Sequence, residues 1–424
     1  MHKRVVVTGL GIVAPNAIGV EQFHQALLEM KNGISFIPKL KELNFSCQIA
    51  GQPNLSQKTI DTYFTPLEQK GLLASGLIYG VISGMQAWEN AGLLIEKKEV
   101  DFDTSIHFGT GVLGVDKLRE AFHLIDNKLV KRLGSTSVIQ TMASGISAYL
   151  GGKLGAGNQV TTNSSACTTG TEAFIMGFER IKSGQAKRAL VGSCSDSGPY
   201  VWGGFDALRI LPHQFNENPN EASKPLDADA SGFIPSSGAG AIVLEDLASA
   251  KARNAKIYAE VLGGALNSGG QRQGGSMTAP NSYAVQKCIK DALINAKLPA
   301  HKIDFINGHL TATKMDAIEI ENWIAALELK SENFPKINSL KGMIGHPLAA
   351  AGSIELVATI LQLKNDFIFG NRNLKTLHPI IKNKLSEAHF PIKSIAHKVN
   401  YALKASFGFG DVNAVTVIKK FNDN

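Results

Sequence analysis

The chain has 424 residues, 44% of them hydrophobic and 19% charged, with a formal net charge of +7. That balance excludes a disordered protein, and the length exceeds what one growing core fills, so two or three lobes are expected. The positive charge carries no nucleic-acid signature: lysines and arginines are scattered, with short clusters at 128–132 and 393–398 and no aromatic-interleaved basic motif.

In chain order, residues 4–11 read as a first strand. The basic start before this valine run imitates a signal peptide, but Gly9, Gly11 and Pro15 interrupt it and no small-residue cleavage site is clear. A helix is expected at 72–90 and a strand at 104–109, ending at Gly109-Thr110-Gly111-Val112-Leu113-Gly114. These glycines have neither the Gly-Lys-Ser/Thr of a P-loop nor dinucleotide spacing. Strands at 189–192 and 238–245 flank a long loop at 199–235. After the charged segment 251–254, a second half restarts with a strand at 256–261. It continues as strand, histidine turn, helix (316–327), strand, histidine turn and helix (349–363). Strands at 401–406 and 414–418 close the chain around a tight turn. The alternation argues for α/β layers, with no convincing sequence repeat between the halves. No run of about 18 uninterrupted apolar residues predicts a membrane span. Four cysteines without paired or metal-ligand spacing predict a reducing, cytoplasmic setting.

One cysteine stands apart. Cys167 lies in the hydroxyl-rich segment Asn163-Ser164-Ser165-Ala166-Cys167-Thr168-Thr169-Gly170, directly before a helical pattern at 172–178. A helix N-terminus offers backbone N–H donors and a positive dipole end, which favour a thiolate. Two histidines, His309 and His346, follow strand-like runs in similar turns, and histidines commonly move or stabilise charge beside such a nucleophile. Cys47, Cys194 and Cys288 lack these surroundings and read as packing.

Four segments carry a resemblance. Ser165-Ala166-Cys167-Thr168-Thr169-Gly170, Gly308-His309-Leu310-Thr311-Ala312-Thr313, Asn338-Ser339-Leu340-Lys341-Gly342-Met343-Ile344-Gly345-His346 and Ser406-Phe407-Gly408-Phe409-Gly410 occur in this order, and the similarity reaches back to the strand at 4–11. Together they resemble the elongating β-ketoacyl-acyl-carrier-protein synthases, condensing enzymes with a thiolase-like fold. The resemblance implies two similar halves, 1–253 and 254–424, in a five-layer α-β-α-β-α sandwich with the site between them. It implies Cys167 as nucleophile, His309 and His346 as donors to an enolate, Lys341 as an organiser of that network and Glu355 as its supporting carboxylate. The oxyanion hole would be the backbone N–H groups of Cys167 and Phe409, with the Phe409 ring as a gate. Thr311 and Thr313 would hold the phosphopantetheine arm of an acyl carrier protein, while Asp316 and Glu319 support the helix behind them. Val112, Leu113 and Phe205 would wall the acyl pocket.

No metal and no resident cofactor is implied, since the substrates arrive on the carrier. A homodimer is implied, or a heterodimer with a chain-length factor, and carrier docking would use Lys131, Arg132 and Arg209. Leu310, Pro347, Asp411 and the segment Ala230-Ser231-Gly232-Phe233 depart from the usual pattern, which points toward a specialised pathway such as a pigment, polyene or polyketide-like lipid. A degradative thiolase would place a second cysteine where Phe409 stands. A priming synthase would pair the cysteine with histidine and asparagine, and a non-catalytic chain-length factor would lack the nucleophile.

Overall fold

The computed structural model describes residues 2–95 and 99–422, so Met1 and Asn424, the ends of the expected division, lie outside it. Its centre is a sheet built from β1 (Val5–Ala14), β2 (Thr104–Thr110), β3 (Val160–Thr161), β4 (Arg188–Ser195) and β5 (Gly238–Asp246), followed by β6 (Ala259–Ser268), β7 (Phe305–Asn307), β8 (Lys336–Asn338), β9 (Tyr401–Gly408) and β10 (Val412–Lys420). The spatial order is β8-β7-β9-β10-β6-β1-β5-β4-β2-β3, with Ala17–Ile18 paired onto β1.

This order contains a duplication. From the middle outward, the first half runs β1, β5, β4, β2, β3 and the second runs β6, β10, β9, β7, β8, the same permutation of five strands. Pairing directions repeat as well: the two inner pairs are antiparallel and the two outer pairs parallel in each half. The halves meet where Val5, Val6 and Val7 pair antiparallel with Val261, Glu260 and Ala259. The repetition is in topology only; the sequences have diverged beyond recognition.

Helices cover both faces, which is why the strands are apolar runs rather than alternating ones. All ten residues of β1 are buried. On one outer face lie α1 (Ser75–Asn90) and α2 (Gly145–Leu154); between the halves lie α3 (Thr169–Lys182) and α7 (Ala351–Asn365); on the other outer face lie α5 (Ser282–Asn295) and α6 (Met315–Leu327). Every residue of α7 from Ala351 to Leu363 is buried, including the polar Ser353, Glu355, Thr359 and Gln362. The expected layers are thus present, and among the described residues the three largest apolar cores are outer first-half, central and outer second-half.

The stretch 199–235 differs from the loop expected there, because α4 (Pro199–Ala207) opens it. Pro199 at the first turn starts the helix, and Trp202 is fully buried beneath it.

The two central helices touch through glycine. A Cβ on Gly170 would lie 2.3 Å from the Ser353 nitrogen, and one on Gly352 would lie 2.5 Å from the Thr171 nitrogen. The hydroxyls of Ser193 and Ser353, 2.7 Å apart, close the same contact. Gly170→Ala is expected to destabilise the fold by about 3 kcal/mol, the upper range for overpacking. A denaturation midpoint unchanged from wild type would show that the helices can part without loss.

Candidate active site

The nucleophile turn is fixed by its own hydroxyls. The Thr169 hydroxyl donates to the Ala166 carbonyl (2.7 Å) and accepts from the Ser165 N–H (2.9 Å), while Ser165 and Asn163 donate to Glu172. Ala166 is held at φ +48°, a left-handed conformation alanine resists, and Cys167 follows in a tight turn, Ala166–Thr168, that runs directly into α3. Cys167 follows β3 and His346 follows β8, the third strands of their halves, so the duplicated topology carries both to the centre.

His346 Nε2 lies 3.2 Å from the Cys167 sulfur. Its tautomer follows from the other ring nitrogen: Nδ1 accepts the Leu348 N–H at 3.2 Å, so the proton of the neutral ring sits on Nε2 and points at the sulfur. His309 stands edge-on to His346 with ring centroids 5.4 Å apart. Its turn is anchored by Glu319, which accepts the His309 and Leu310 N–H groups at 2.7 Å each, and by Asp316, which accepts from Thr311 at 2.8 Å. Burial raises Asp316 to about 6 and Glu319 to about 7, against the backbone donors they serve. Leu310 at φ +23° and Ala312 at φ +63° occupy backbone positions that suit glycine.

Behind the histidines lies a buried charged cluster. The Lys341 ammonium donates to the His309 carbonyl at 2.5 Å and pairs with one oxygen of Glu355. Lys404, absent from the sequence reading, stands 2.9 Å from the other Glu355 oxygen. Burial, with these lysines, holds both histidines well below their usual range and therefore neutral. Burial also pushes the Cys167 thiol up to about 11, outweighing Lys341 and the backbone N–H groups of Phe409 and Cys167, which favour the thiolate. The helix-end position therefore does not leave a resting thiolate, contrary to the simplest sequence expectation. Cys47 is raised to about 11 as well, so geometry rather than acidity distinguishes Cys167. Donor atoms of Cys167, His309 and His346 lie within 4.8 Å of one another, close enough for a metal ion, yet the two ammonium groups behind them oppose a cation.

A cavity of about 490 Å³ opens onto this cluster. Phe409 borders it at the end of β9, and a Cβ on Gly408 would approach the Cys167 nitrogen to 3.1 Å, so the turn rests on the nucleophile's backbone. An aromatic chain runs from Phe409 to Phe205 (6.2 Å), from Phe205 to Phe233 (5.5 Å) and from Phe233 to His346 (5.2 Å). Phe233, within the divergent 230–233 segment, was not among the expected site residues. Thr311 and Thr313 line the cavity with hydroxyls 3.0 Å apart, and the Thr313 hydroxyl also accepts the Met315 N–H that starts α6. Asp411 takes over a bracing role: its carboxylate accepts the Gln271 and Asn281 N–H groups, tying the Phe409 turn to the segment below. Lys131, Arg132 and Arg209 are exposed.

One expected pocket residue is misplaced. Val112 lines the cavity and is 51% exposed, but Leu113 is 4% exposed and packs in the outer first-half core with its side chain against Gly145. Both residues lie beyond the end of β2, and of the two only Val112 borders the cavity. Val112→Phe is expected to shift acyl preference toward shorter chains. Leu113→Ala should instead destabilise by about 2–5 kcal/mol with the chain-length profile unchanged. An acyl panel and a denaturation curve separate these outcomes. Because the thiol titrates near 11, iodoacetamide labelling of Cys167 in the substrate-free enzyme should climb about tenfold per pH unit from pH 7 to 10. Peptide mapping reads this, and a plateau by pH 8 would contradict it.

Comparison with known proteins shows the family. The β-ketoacyl synthase N-terminal domain matches residues 2–250 and the C-terminal domain residues 258–375. The 3-oxoacyl-[acyl-carrier-protein] synthase 2 of Synechocystis is 31% identical over 425 residues, spanning 99% of this chain and 98% of its own. The 3-oxoacyl-[acyl-carrier-protein] synthase 1 of Haemophilus influenzae is 30% identical over 429 residues, spanning 99% and 100%. A solved complex of a type II polyketide-synthase acyl carrier protein with its ketosynthase aligns over the full length of both chains at a TM-score of 0.86 and 28% identity. An ishigamide ketosynthase/chain length factor shares the fold at a TM-score of 0.88 and 24% identity. On these matches, which span nearly its whole length, the chain belongs to the β-ketoacyl synthase family.

Proposed function

We infer that this protein is an elongating β-ketoacyl-acyl-carrier-protein synthase, which joins a cysteine-bound acyl chain to malonyl carrier protein with loss of carbon dioxide. The observation that carries the reading is the neutral His346 Nε2–H aimed at the Cys167 sulfur beside a second histidine. In the first half-reaction the sulfur attacks the acyl thioester carbon, and its proton passes to the departing carrier thiol. The tetrahedral oxygen would be held by the Cys167 and Phe409 N–H groups, already aimed into the site. In the second, the carboxylate of the malonyl thioester leaves as carbon dioxide and its electron pair becomes an enolate. The His346 Nε2–H, with a ring N–H of His309, stabilises the enolate oxygen. The enolate carbon then attacks acyl-Cys167, a carbon–carbon bond forms, the carbon–sulfur bond breaks, and the thiolate recovers a proton.

Thr311 and Thr313 are proposed to hold the phosphopantetheine arm, because their hydroxyls face the cavity. Lys131, Arg132 and Arg209 are proposed as carrier contacts, since exposed positive charge would steer an acidic carrier protein. The relatives support the carrier as partner: two are named acyl-carrier-protein synthases, and one solved ketosynthase is held by its carrier. A homodimer is the proposed assembly. The departures at Leu310, Pro347, Asp411 and 230–233 keep a specialised pathway as the second reading; a panel of saturated, unsaturated and aryl-polyene acyl carriers decides it.

Cys167→Ser should abolish acyl transfer, whereas Cys167→Gln should retain malonyl decarboxylation because its amide imitates the acylated cysteine. His346→Ala should lower decarboxylation about 10²–10³-fold while self-acylation falls less, since the enolate arises only in the later step. Labelled acyl and malonyl carriers measure the two half-reactions separately, and condensation by the serine variant would sink the assignment.

A further inference from the structure

Lys404 lies on β9, a strand whose neighbours Leu403 and Ala405 are fully buried, and it is itself fully buried. An ammonium group there loses its hydration, so an apolar side chain would be the less costly occupant. Its surroundings are specific. Nζ donates to the Ser406 hydroxyl at 3.0 Å and to the Ala405 carbonyl, and stands 2.9 Å from Glu355 Oε2. The Ser406 hydroxyl lies 2.9 Å from the Thr171 hydroxyl in the first turn of α3, just beyond the nucleophile. Glu355, on α7, receives Lys341 on its other oxygen. Two ammonium groups therefore share one carboxylate.

We propose that Lys404 is a positioning residue for condensation, which shares the Glu355 carboxylate with Lys341 and leaves an excess positive charge behind Cys167, His309 and His346. The role rests on the ketosynthase reading of the site. Negative charge develops there twice, on sulfur or the tetrahedral oxygen and then on the enolate oxygen, and a fixed positive field inside a buried site favours both. The other ionisable groups bearing on Lys404 are Lys341, Glu355 and, from α6, Glu319; burial lowers the Lys404 amine, Glu355 opposes this and Lys341 adds to it. Lys404 in turn acts on both histidines, helping to keep them neutral so that His346 retains the Leu348 N–H on Nδ1. The Ser406–Thr171 link joins the same lysine to the helix that aims the nucleophile.

The test compares full-length wild type, Lys404→Met and Lys404→Met/Glu355→Gln, each shown folded by circular dichroism and a melting curve. The formal charge on the three side chains is +1, 0 and +1 in that order, since methionine and glutamine are neutral. At pH 8, alkylation of Cys167 by iodoacetamide should fall about fivefold to tenfold in Lys404→Met. The double variant should regain at least half of that loss. Malonyl-carrier decarboxylation should fall by a similar factor in kcat with KM unchanged. A folded Lys404→Met that alkylates at the wild-type rate would overturn the proposal, as would a double variant slower than the single one, because a packing role predicts additive damage. If the methionine variant does not fold, Lys404→Gln, which keeps an N–H donor without charge, is judged by the same criteria. The alkylation arm needs no substrate, so it decides the role of Lys404 even if the wild type condenses no acyl carrier, a result that would sink the activity reading alone.

Discussion

The close crossing of α3 and α7 governs the rest of the molecule. Gly170 and Gly352 let two helix backbones meet where any side chain would collide. Each helix starts directly after one of the reacting turns, so the crossing sets the separation of Cys167 and His346. The duplicated sheet supplies the two helices, and the glycines bring them together. Catalytic distance is thus a consequence of interior packing, which is dense and resists small adjustments.

Polarity within this apolar interior follows a consistent logic. The histidines are neutral because desolvation and two lysines make a further positive charge unfavourable. The thiol is neutral because burial dominates its nearby donors. Charge that appears during reaction therefore meets donors already aimed and a field already present. The same desolvation makes the resting site slow to react with adventitious electrophiles at neutral pH.

The parts of the site carried by short local motifs were legible in the sequence. Cys167 in its hydroxyl-rich turn, and His309 and His346 after their strands, could be picked out, and the structure brings all three together. What depended on distant packing was not legible. Lys404 went unnoticed within its strand, because nothing local reveals that β9 is buried along its length. Leu113 was placed in the pocket wall, whereas packing against Gly145 takes it into the outer core and leaves the cavity to Val112. The helix at Pro199–Ala207 was signalled by a proline at its start, yet its surroundings resembled loop. The five-strand duplication is a property of connectivity, and sequence divergence had erased it.

The placement of α7 also bears on how the chain acquires its structure during synthesis. The first half emerges from the ribosome with β1 to β5 and α3 complete, but its inner face is finished only when residues 351–365 arrive, about a hundred residues after the second half begins. Until then α3 lacks its contact with α7 at Gly170 and Thr171, and the Val5–Val7 edge of β1 waits for Ala259–Val261. An unpaired edge beside uncovered apolar surface is a template for association with other chains. For this fold the interval between the two halves is therefore the most hazardous stage of its life, and chaperone protection matters most there.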